Sequence, residues 1–377
     1  RGSPPGSRRS RGTGACSAAP EPIVGGGDAL RDLLSREGGS ATVARFMEIA
    51  LHDPERGYYR SGAATVGAGG DFSTIATIHP ALARAIAAWL LERRGETAPR
   101  GPWHAIEIGG GGGHLAEGVL RALGVRGRSR LRYHVVEVSP LLREEQRRRL
   151  RRFRVSWHDS PRSALEAAGG TAIVFSNELV DSFPCHQLAW RGGRWLEVRV
   201  ALDGDRVVEA LGPVSDPRLL SDLCALPEGE EGRRAEVHLP YLDWLGGWAG
   251  ALRRGTILTI DYGGAGESPT PRRSGTLRAH FRHRTLRGLP FYGRPGMQDL
   301  TADVNFADLD RWGRRLGLRT RSIVTQREFL LQWAPGLARE AERDPAVAFV
   351  LHGSGAGGAY RVLEQAPSAL ADPAAVG

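Results

Sequence analysis

Five consecutive glycines, Gly109 to Gly113, directly follow a short apolar run that ends in Glu107 and Ile108, and a helical pattern begins at about His114. A glycine-rich turn between a strand and a helix is the setting in which many α/β proteins bind nucleotides. Glycine tolerates positive φ and lets a ligand approach the backbone, and the helix N-terminus adds a field that favours negative charge. The pattern therefore indicates a cofactor turn, although a flexible spacer would have the same composition.

Polar residues follow the other predicted strands of this region. Glu137 lies in "VVEVS", where its carboxylate can accept hydrogen bonds from both ribose hydroxyls of a nucleoside. Asp159 ends the next strand, where a side chain would lie beside the adenine edge, and the fourth strand runs into "SNELVDS". Because ligands of open α/β sheets bind at the carboxyl ends of the strands, all four strand ends predict one site.

The cofactor could be a dinucleotide or S-adenosylmethionine. The glycines fit the dinucleotide pattern GxGxxG only if His114 or Leu115 takes the third glycine position, and neither permits close helix packing. The turn fits the E/I-G-x-G-x-G pattern of class I methyltransferases better, and there Glu107 can help hold the aminopropyl part of the cofactor. The sequence therefore predicts S-adenosyl-L-methionine, with S-adenosyl-L-homocysteine as product.

These residues must be positioned by a sheet. From residue 101 onward strands and helices alternate, which predicts an α/β fold with a mostly parallel, Rossmann-like sheet covered by helices on both faces. We expect this core to span 101–377, with a hairpin insertion near 194–212 and a loop insertion near 265–305. A strand, a helix over 327–343 and a last strand predict an antiparallel hairpin at the sheet edge.

Two segments precede this core. Residues 28–100 show helical patterns, with Ser40 placed to cap the second helix, and we expect this segment to contribute to the pocket. Residues 1–27 are rich in Gly, Pro, Ser and Arg, and we expect them to form a disordered tail.

From Phe46 to Leu363 the chain resembles the MidA-type (DUF185) S-adenosylmethionine-dependent methyltransferases, a family that includes the mitochondrial complex I assembly factor that methylates a protein arginine. The resemblance rests on stretches that occur in the same order: "FMEIALHDPERGYY", "GDFST", "IEIGGGGG", "VVEVSPLL", "SNELVDSFPCHQL", "LTIDYGG", "TLRAHFRHR", "DLTADVNF", "TQREFLLQ" and "YRVL". It implies a seven-stranded Rossmann-like core and an inserted segment that covers the pocket.

The resemblance also implies roles for individual residues. Together with the strand-end residues, it predicts a set of cofactor-binding positions: Glu107, Gly109, Gly111, Gly113, Glu137, Ser139, Asp159, Asn177, Gly70, Asp71, Phe72 and Thr74. We predict catalytic roles for Glu178, Asp181 and His186, and substrate-binding roles for Tyr58, Arg278, His280 and His283. No metal site is predicted.

The sequence departs from the family pattern at positions that bear on the substrate. The family turn reads GPGRG, and here its Pro and Arg positions are Gly110 and Gly112, from which we expect a looser turn. The family's GDFxTSPE is "GDFSTIATI" here, so Ile75, Ala76 and Thr77 replace a Ser-Pro-Glu that carries a carboxylate.

The methyl acceptor is therefore open. A guanidinium nucleophile needs carboxylates to align it, and Glu178 and Asp181 remain available. An alcohol acceptor would need a base, which His186, His280 or His283 could supply, whereas a carboxylate acceptor is already an anion that Arg278 and Arg282 could position. The alternatives are protein arginine methylation, as in the family, and O- or N-methylation of a small molecule or peptide. A third is a non-catalytic assembly factor, and the chain could form a homodimer.

A net charge of +9 would ordinarily favour a polyanionic partner, but the use of arginine alone indicates the coding bias of a GC-rich genome. The chain has no lysine, so all of its 51 basic residues are arginine and its net charge is +9. We interpret most of them as solvated surface and the run 143–154 as an exposed helix face. No nucleic-acid partner is predicted, because no basic strip is interleaved with aromatic residues. No apolar run approaches the roughly 18 residues of a membrane span, so membrane contact would be peripheral.

Cysteine usage points to a reducing compartment. The three cysteines, Cys16, Cys185 and Cys224, have no disulfide-type or zinc-type spacing. We expect a cytoplasmic protein of a bacterium with a GC-rich genome, with a mitochondrial location as the alternative.

Overall fold

The computed structural model describes residues 27–60, 79–204, 206–223, 230–264, 275–282 and 284–368. Apart from Gly27, the predicted tail lies outside these ranges, and so do the predicted site residues Gly70, Asp71, Phe72, Thr74 and His283. Within the described ranges, no helix combines the length and the apolar character needed to cross a bilayer.

Strands and helices alternate along most of the chain. The helices are α1 (Gly27–Arg36), α2 (Val43–His52), α3 (Ala81–Thr97), α4 (His114–Ala122), α5 (Gly124–Gly127), α6 (Pro140–Arg149), α7 (Pro161–Ala167), α8 (Pro217–Leu223), α9 (Leu239–Gly246), α10 (Phe306–Arg315), α11 (Gln326–Trp333), α12 (Leu337–Glu340), α13 (Pro345–Leu351) and α14 (Ala356–Ala359). The strands are β1 (Ser40–Thr42), β2 (Trp103–Ile108), β3 (Leu131–Val136), β4 (Val155–His158), β5 (Thr171–Asn177), β6 (His186–Arg191), β7 (Arg194–Asp203), β8 (Arg206–Gly212), β9 (Arg234–Val237), β10 (Arg254–Gly264), β11 (Arg278–Phe281), β12 (Arg284–Leu286), β13 (Asp299–Thr301), β14 (Val304–Asn305), β15 (Leu318–Thr325) and β16 (Tyr360–Pro367).

The central sheet has the strand order β15-β16-β10-β5-β2-β3-β4, and β14 adds a short parallel pairing to β10. β10, β5, β2, β3 and β4 are parallel neighbours, whereas β16 runs antiparallel to both β10 and β15. The predicted seven-stranded Rossmann-like order is thus confirmed. The antiparallel strand β16 lies one position inside the edge, which is formed by β15.

Apolar side chains cover both faces of this sheet, as expected for parallel strands. On one face α3, α4 and α11 pack against Ala105, Val135 and Phe175. On the other face α7, α9 and α10 pack against Ile106, Val174 and their neighbours. The carboxyl ends of β2, β3, β4 and β5 therefore lie together at one edge of a rigid core.

A second sheet, β1-β7-β6-β9 with β8 on β7, packs beside this core. The hairpin predicted near 194–212 is β7 and β8, and it belongs to this larger antiparallel sheet. Ser40 lies in β1, and Thr42 is the residue that caps α2, since its side chain accepts the Arg45 N–H. A local pattern could not show β1, because its three residues are a strand only through their pairing with β7.

Two other predictions of local structure were wrong in detail. The helix expected over 327–343 is divided into α11 and α12 by a break at Ala334. The long loop expected near 265–305 contains β11, β12 and β13, which form a small antiparallel sheet. Its residues 265–274 and 283 lie outside the described ranges.

Candidate active site

The glycine turn follows β2, and hydrogen bonds hold it to the end of β3 and to α6. The Gly109 N–H donates to the carbonyl of Val136 at the end of β3. Gly109, Gly111 and Gly113 have φ of 73°, 49° and 78°, so all three adopt the left-handed conformation that favours glycine. A Cβ added at Gly111 would meet no atom within 4 Å, so the backbone at that position faces open space.

Side chains of α6 hold the carbonyls of this turn. Gln146 donates from Nε2 to the Gly111 carbonyl at 2.8 Å, and Arg149 donates from Nε to the Gly112 carbonyl at 2.7 Å. A Cβ at Gly110 would lie 3.2 Å from the Gln146 amide. The two glycines that replace Pro and Arg of the family pattern therefore lie in a turn that α6 anchors, and the looser turn expected from them stays a prediction.

Glu137 directly follows β3 and is almost completely buried. One carboxylate oxygen accepts the Ser139 N–H at 2.9 Å, and the other accepts from Gln146 Nε2 at 3.2 Å. Burial raises the pKa of Glu137, while these hydrogen bonds favour its charged form. Because each carboxylate oxygen has a second lone pair, Glu137 can still accept two further hydrogen bonds.

Glu107 lies one position before the end of β2 and is also buried. The Tyr133 hydroxyl donates to Glu107 Oε2 at 2.6 Å. Burial, with the nearby Glu137 charge, raises the pKa of Glu107 to about 7. A cationic group near this carboxylate would favour its ionised form.

One arginine joins the ends of β3 and β4. Arg143 donates to the carbonyls of Glu137 and His158 at 2.6 and 2.8 Å, and it forms an ion pair with Asp159. Asp159 is exposed, so its carboxylate reaches both the arginine and the rim of the site. These contacts of Arg143 keep the ends of β3 and β4 at a fixed separation.

These strand ends open into a cavity of about 850 Å³. Predicted cofactor residues line it from one side: Glu107, Gly109, Gly111, Glu137, Asp159 and Asn177. Gly113 and Ser139 do not line it. Gly113 precedes α4 as its N-cap residue, and Ser139 caps α6 while its N–H orients Glu137. Both residues therefore adjoin or contact lining residues, and their cofactor-binding roles stay predictions.

The end of β5 brings two further polar residues to the same cavity. The Asn177 amide donates to Glu178 Oε1 at 3.0 Å, and its own oxygen, Oδ1, is buried and has no hydrogen-bond partner among the described residues. Glu178 has φ of 51°, an uncommon conformation for a residue other than glycine, and its N–H bonds to the Ile260 carbonyl. Burial, with the nearby Asp181 charge, raises the pKa of Glu178 to about 8.

Asp261 in β10 fixes the loop after β5. Its Oδ2 accepts the N–H groups of Leu179, Val180 and Asp181 at 3.2, 2.9 and 3.2 Å. Its Oδ1 accepts the N–H of Tyr262 at 2.9 Å. These three residues begin a single 3₁₀ turn, so one buried carboxylate accepts all three N–H groups at the start of the turn. The same contacts hold the loop that carries Glu178 at the cavity.

Asp181 is buried beneath the cavity wall and does not line it. It accepts a hydrogen bond from the Tyr262 hydroxyl on Oδ2, and its Oδ1 has no partner among the described residues. Arg278 pairs with Asp303, and its guanidinium lies 4.4 Å from the centre of the Tyr262 ring. Arg278 therefore packs against the Tyr262 ring and does not line the cavity.

The remaining predicted residues separate into lining and supporting positions. His186 lines the cavity, and its Nδ1 lies 2.7 Å from a carboxylate oxygen of the buried Glu197. Tyr58 is completely buried in the core below α2, and neither it nor His280 in β11 lines the cavity. The substrate-binding roles of Tyr58, Arg278 and His280 would have to act through other residues.

The structure adds lining residues that the sequence did not indicate. His52 at the end of α2 forms one wall with Tyr59 and Arg60, and there the Tyr59 hydroxyl donates to Asp299 at 2.7 Å. A second wall is aromatic, with Phe183 and Trp244 packed edge to face at 5.2 Å. Tyr59 is adjacent to the predicted Tyr58 in "GYY", and it differs from Tyr58 in its stacking on His52 and in its hydrogen bond to Asp299, 240 residues away.

The residues present fit S-adenosyl-L-methionine. Glu137 has free acceptor capacity for two ribose hydroxyls, and the open backbone at Gly111 leaves room for the aminopropyl chain. Glu107 supplies a buried carboxylate to a ligand that carries an ammonium and a sulfonium. A dinucleotide would bring its pyrophosphate to the glycine turn, where the buried carboxylate of Glu107 would repel it.

Comparison with known proteins agrees with this geometry. Residues 85–324 match the model of the family described as "Putative S-adenosyl-L-methionine-dependent methyltransferase". The chain is 28% identical to the mitochondrial protein arginine methyltransferase NDUFAF7 of Danio rerio, over 78% of this chain and 72% of that protein. It is 26% identical to the mitochondrial homologue of Caenorhabditis elegans, over 79% of this chain and 74% of that protein.

A solved structure is similar over most of the fold. A COG1565 superfamily member from Burkholderia thailandensis, bound to S-adenosyl-homocysteine, superposes with a TM-score of 0.79 at 28% identity. The match covers 90% of this chain and 91% of that chain. The S-adenosyl-homocysteine bound to that protein is the cofactor product expected from the glycine turn.

Proposed function

The chain belongs to this family of S-adenosyl-L-methionine-dependent methyltransferases, and from that premise we propose that its methyl acceptor is a guanidino group of an arginine in a protein. The observation that carries the proposal is the pair of polar groups at the end of β5. Glu178 offers a partly buried carboxyl group at the cavity, and Asn177 Oδ1 beside it is a buried acceptor with no partner among the described residues. A guanidinium carries several N–H donors in one plane, so it can satisfy both groups at once.

The protonation of Glu178 supports a cationic acceptor. Its pKa of about 8 means that the carboxyl group is mostly uncharged at neutral pH when no cation is near. A guanidinium beside it favours the carboxylate, so the substrate and the charge of Glu178 stabilise each other. A neutral hydroxyl acceptor would give no such gain.

S-adenosyl-L-methionine supplies an electrophilic methyl group on a sulfonium. The protein residues have to align the nucleophilic nitrogen and exclude water from it. Glu178 holds the guanidinium in the plane of its carboxylate and can accept the proton that the nitrogen loses. Asp261 keeps Glu178 in place through the backbone of the loop, and Asp181 adds negative charge behind the cavity wall.

The experiment that tests this proposal is methyl labelling of whole proteins. The enzyme is incubated with methyl-labelled cofactor and a protein extract, and the proteins are then hydrolysed to amino acids. Label in methylarginine is the expected result. Label in another amino acid, or only in small molecules of the extract, would refute arginine as the acceptor and favour a tailoring methyltransferase.

A substitution identifies the residue responsible. Glu178→Gln should retain binding of S-adenosyl-homocysteine but lose the label by at least about 100-fold, because a charged hydrogen bond worth about 1.5–3 kcal/mol is lost together with the proton acceptor. Glu166→Gln is a matched control, since Glu166 is exposed on α7 and lies outside the cavity lining. Unchanged labelling by Glu178→Gln would refute the role of this residue.

The relatives named above are mitochondrial proteins by name. The bacterial cytoplasmic location of this chain, its mitochondrial alternative and the homodimer stay predictions.

A further inference from the structure

The positive charge of the chain is unevenly distributed, and residues 121–154 carry a large part of it. Residues 121–154 contain twelve of the 51 arginines but only three of the 42 acidic residues, so this segment alone carries a net charge of +9. The other 343 residues contain 39 arginines and 39 acidic residues in total, with a second run at 272–294 that has seven arginines and no acidic residue. The arginine excess is therefore clustered, whereas codon bias alone would spread it over the chain.

Four of these twelve arginines have hydrogen-bond or ion-pair partners. Arg143 and Arg149 hold the strand ends and the glycine turn, Arg128 donates to the Leu120 carbonyl, and Arg121 pairs with Glu117. The other eight are exposed, and no acidic residue of the described ranges forms an ion pair with them. We call these eight the arginine face: Arg126, Arg130, Arg132, Arg147, Arg148, Arg151, Arg152 and Arg154.

The arginine face comes from α5, the loop before β3, the start of β3, the end of α6 and the loop before β4, which lie side by side. The Arg128 guanidinium lies 5.3 Å from the centre of the Phe153 ring, which joins the loop before β3 to the loop before β4. Tyr133 pairs with Val155, so Arg132 and Arg154, which precede them, are neighbours at the starts of parallel strands. These loops lie at the amino ends of β3 and β4, whereas the cavity lies at the carboxyl ends.

The same surface carries an exposed aliphatic side chain. Val125, directly before Arg126, is 81% exposed, the highest value among the large hydrophobic residues of the described ranges. The two aromatic rings nearby are covered, since Arg128 lies over Phe153 and Arg147 over Trp157. Among the residues that the structure describes on this face, no uncovered ring is therefore available for stacking on a nucleic-acid base.

We propose that the arginine face binds the surface of an anionic phospholipid bilayer. Guanidinium groups match phosphate oxygens bidentately, and a bilayer presents many such groups in a plane with no sequence to read. Val125 would enter the boundary between head groups and acyl chains, where an apolar side chain is more stable than in water. This inference is independent of the proposed methyl acceptor.

The geometry leaves the catalytic cavity free in the bound state. β3 has six residues, and at about 3.3 Å per residue the cavity edge and the arginine face are about 20 Å apart. None of the eight arginines lines the cavity. A bilayer at the amino ends of the strands would therefore leave the opposite edge of the sheet open to the methyl acceptor.

The test is sedimentation of the full chain with lipid vesicles. We expect binding to vesicles of phosphatidylcholine mixed with phosphatidylglycerol, and no binding to phosphatidylcholine alone. The binding should be lost at about 1 M salt, where the screening length falls to about 3 Å. Equal binding to both vesicles, or binding to neither, would overturn the proposal.

Two triple variants locate the contact. Arg126→Ser, Arg151→Ser and Arg152→Ser together should weaken vesicle binding by about 100-fold, since each arginine near an anionic surface strengthens binding by roughly fivefold. The control is Arg194→Ser, Arg206→Ser and Arg319→Ser, which removes the same charge from exposed positions elsewhere. Equal losses in both variants would show that only net charge matters and would refute a defined face.

Two further measurements distinguish a bilayer from a nucleic acid. Val125→Ser should weaken vesicle binding several-fold while Leu211→Ser, at an exposed position of β8, should not. If single-stranded RNA or duplex DNA at the same salt binds the arginine face more tightly than the anionic vesicles do, the bilayer assignment is wrong. Binding of S-adenosyl-homocysteine should be unchanged in both triple variants, which shows that they fold.

Discussion

Replacement of Glu137 by alanine should remove most of the affinity for the cofactor without unfolding the protein. Glu137 follows β3, and both of its carboxylate oxygens are already hydrogen-bonded, one to the Ser139 N–H and one to the Gln146 amide. These bonds fix the carboxylate with one acceptor position on each oxygen facing the cavity. The ribose of S-adenosyl-homocysteine has two hydroxyls to place there.

The magnitude follows from those two hydrogen bonds. A hydrogen bond to a charged group contributes about 1.5–3 kcal/mol, so two of them contribute at most about 3–6 kcal/mol. Water will fill the space that the shorter alanine side chain leaves and will solvate the hydroxyls, which reduces the loss to about 2–3 kcal/mol. Since each 1.4 kcal/mol is tenfold, Glu137→Ala should raise the Kd by about 30- to 150-fold.

The assay is isothermal titration with S-adenosyl-homocysteine. Glu137→Gln retains one oxygen but presents an NH₂ group on the other side, so we expect an intermediate loss of about tenfold. Because burial raises the pKa of Glu137, affinity of the wild-type protein should fall as the pH decreases through that pKa, and Glu137→Gln should not show this fall. A Kd for Glu137→Ala within threefold of the wild-type value, with unchanged Tm, would refute the placement of the ribose at this carboxylate.

Three other predictions concern the supports of the site and the fold. Gln146→Leu should weaken S-adenosyl-homocysteine binding by about tenfold, because the Gly111 carbonyl and the Glu137 carboxylate both lose a donor; an unchanged titration would show that the turn does not depend on α6. Asp261→Ala should lower the free energy of unfolding by about 3–5 kcal/mol in denaturant titrations, because four backbone N–H groups lose the buried carboxylate that accepts their hydrogen bonds. A decrease below about 1 kcal/mol would contradict this role of Asp261. Burial, with two neighbouring histidines, lowers the pKa of His134 to about 4, so the unfolded chain takes up a proton first as the pH falls below 6.5. Stability should therefore fall by about 1.5 kcal/mol between pH 6.5 and 5, and His134→Gln should show a smaller acid loss; an equal loss in the variant would assign the effect to other groups.

The cofactor end of the site could be predicted from the sequence because its determinants are local. A strand, a glycine turn and a helix lie within residues 103–122, and the left-handed conformations at Gly109, Gly111 and Gly113 require the glycines found there. Glu137 was predicted in the same way, since a carboxylate that directly follows a strand lies at the carboxyl edge of a parallel sheet. The parallel order of the sheet then brings these separate ends together.

The substrate end could not be predicted in the same detail because its determinants are contacts between distant segments. Tyr58 and Tyr59 are adjacent in the chain, and of the two only Tyr59 lines the cavity, where it is hydrogen-bonded to the distant Asp299. Arg278 carried a predicted substrate role, yet it stacks on Tyr262 and pairs with Asp303 outside the cavity lining. No periodicity of the sequence contains this information.

The sequence by itself determined the α/β class, the cofactor turn, the acidic residue that follows β3, and the local excess of positive charge in residues 121–154. All four depend on residue types at short separations along the chain. Only the tertiary structure decided that Gln146 supports both the turn and Glu137, that Asp261 holds Glu178 at the cavity, and that the eight arginines of the arginine face lie together at the amino ends of β3 and β4. These arrangements depend on contacts between segments that are distant in the sequence, which the linear order of residues does not specify.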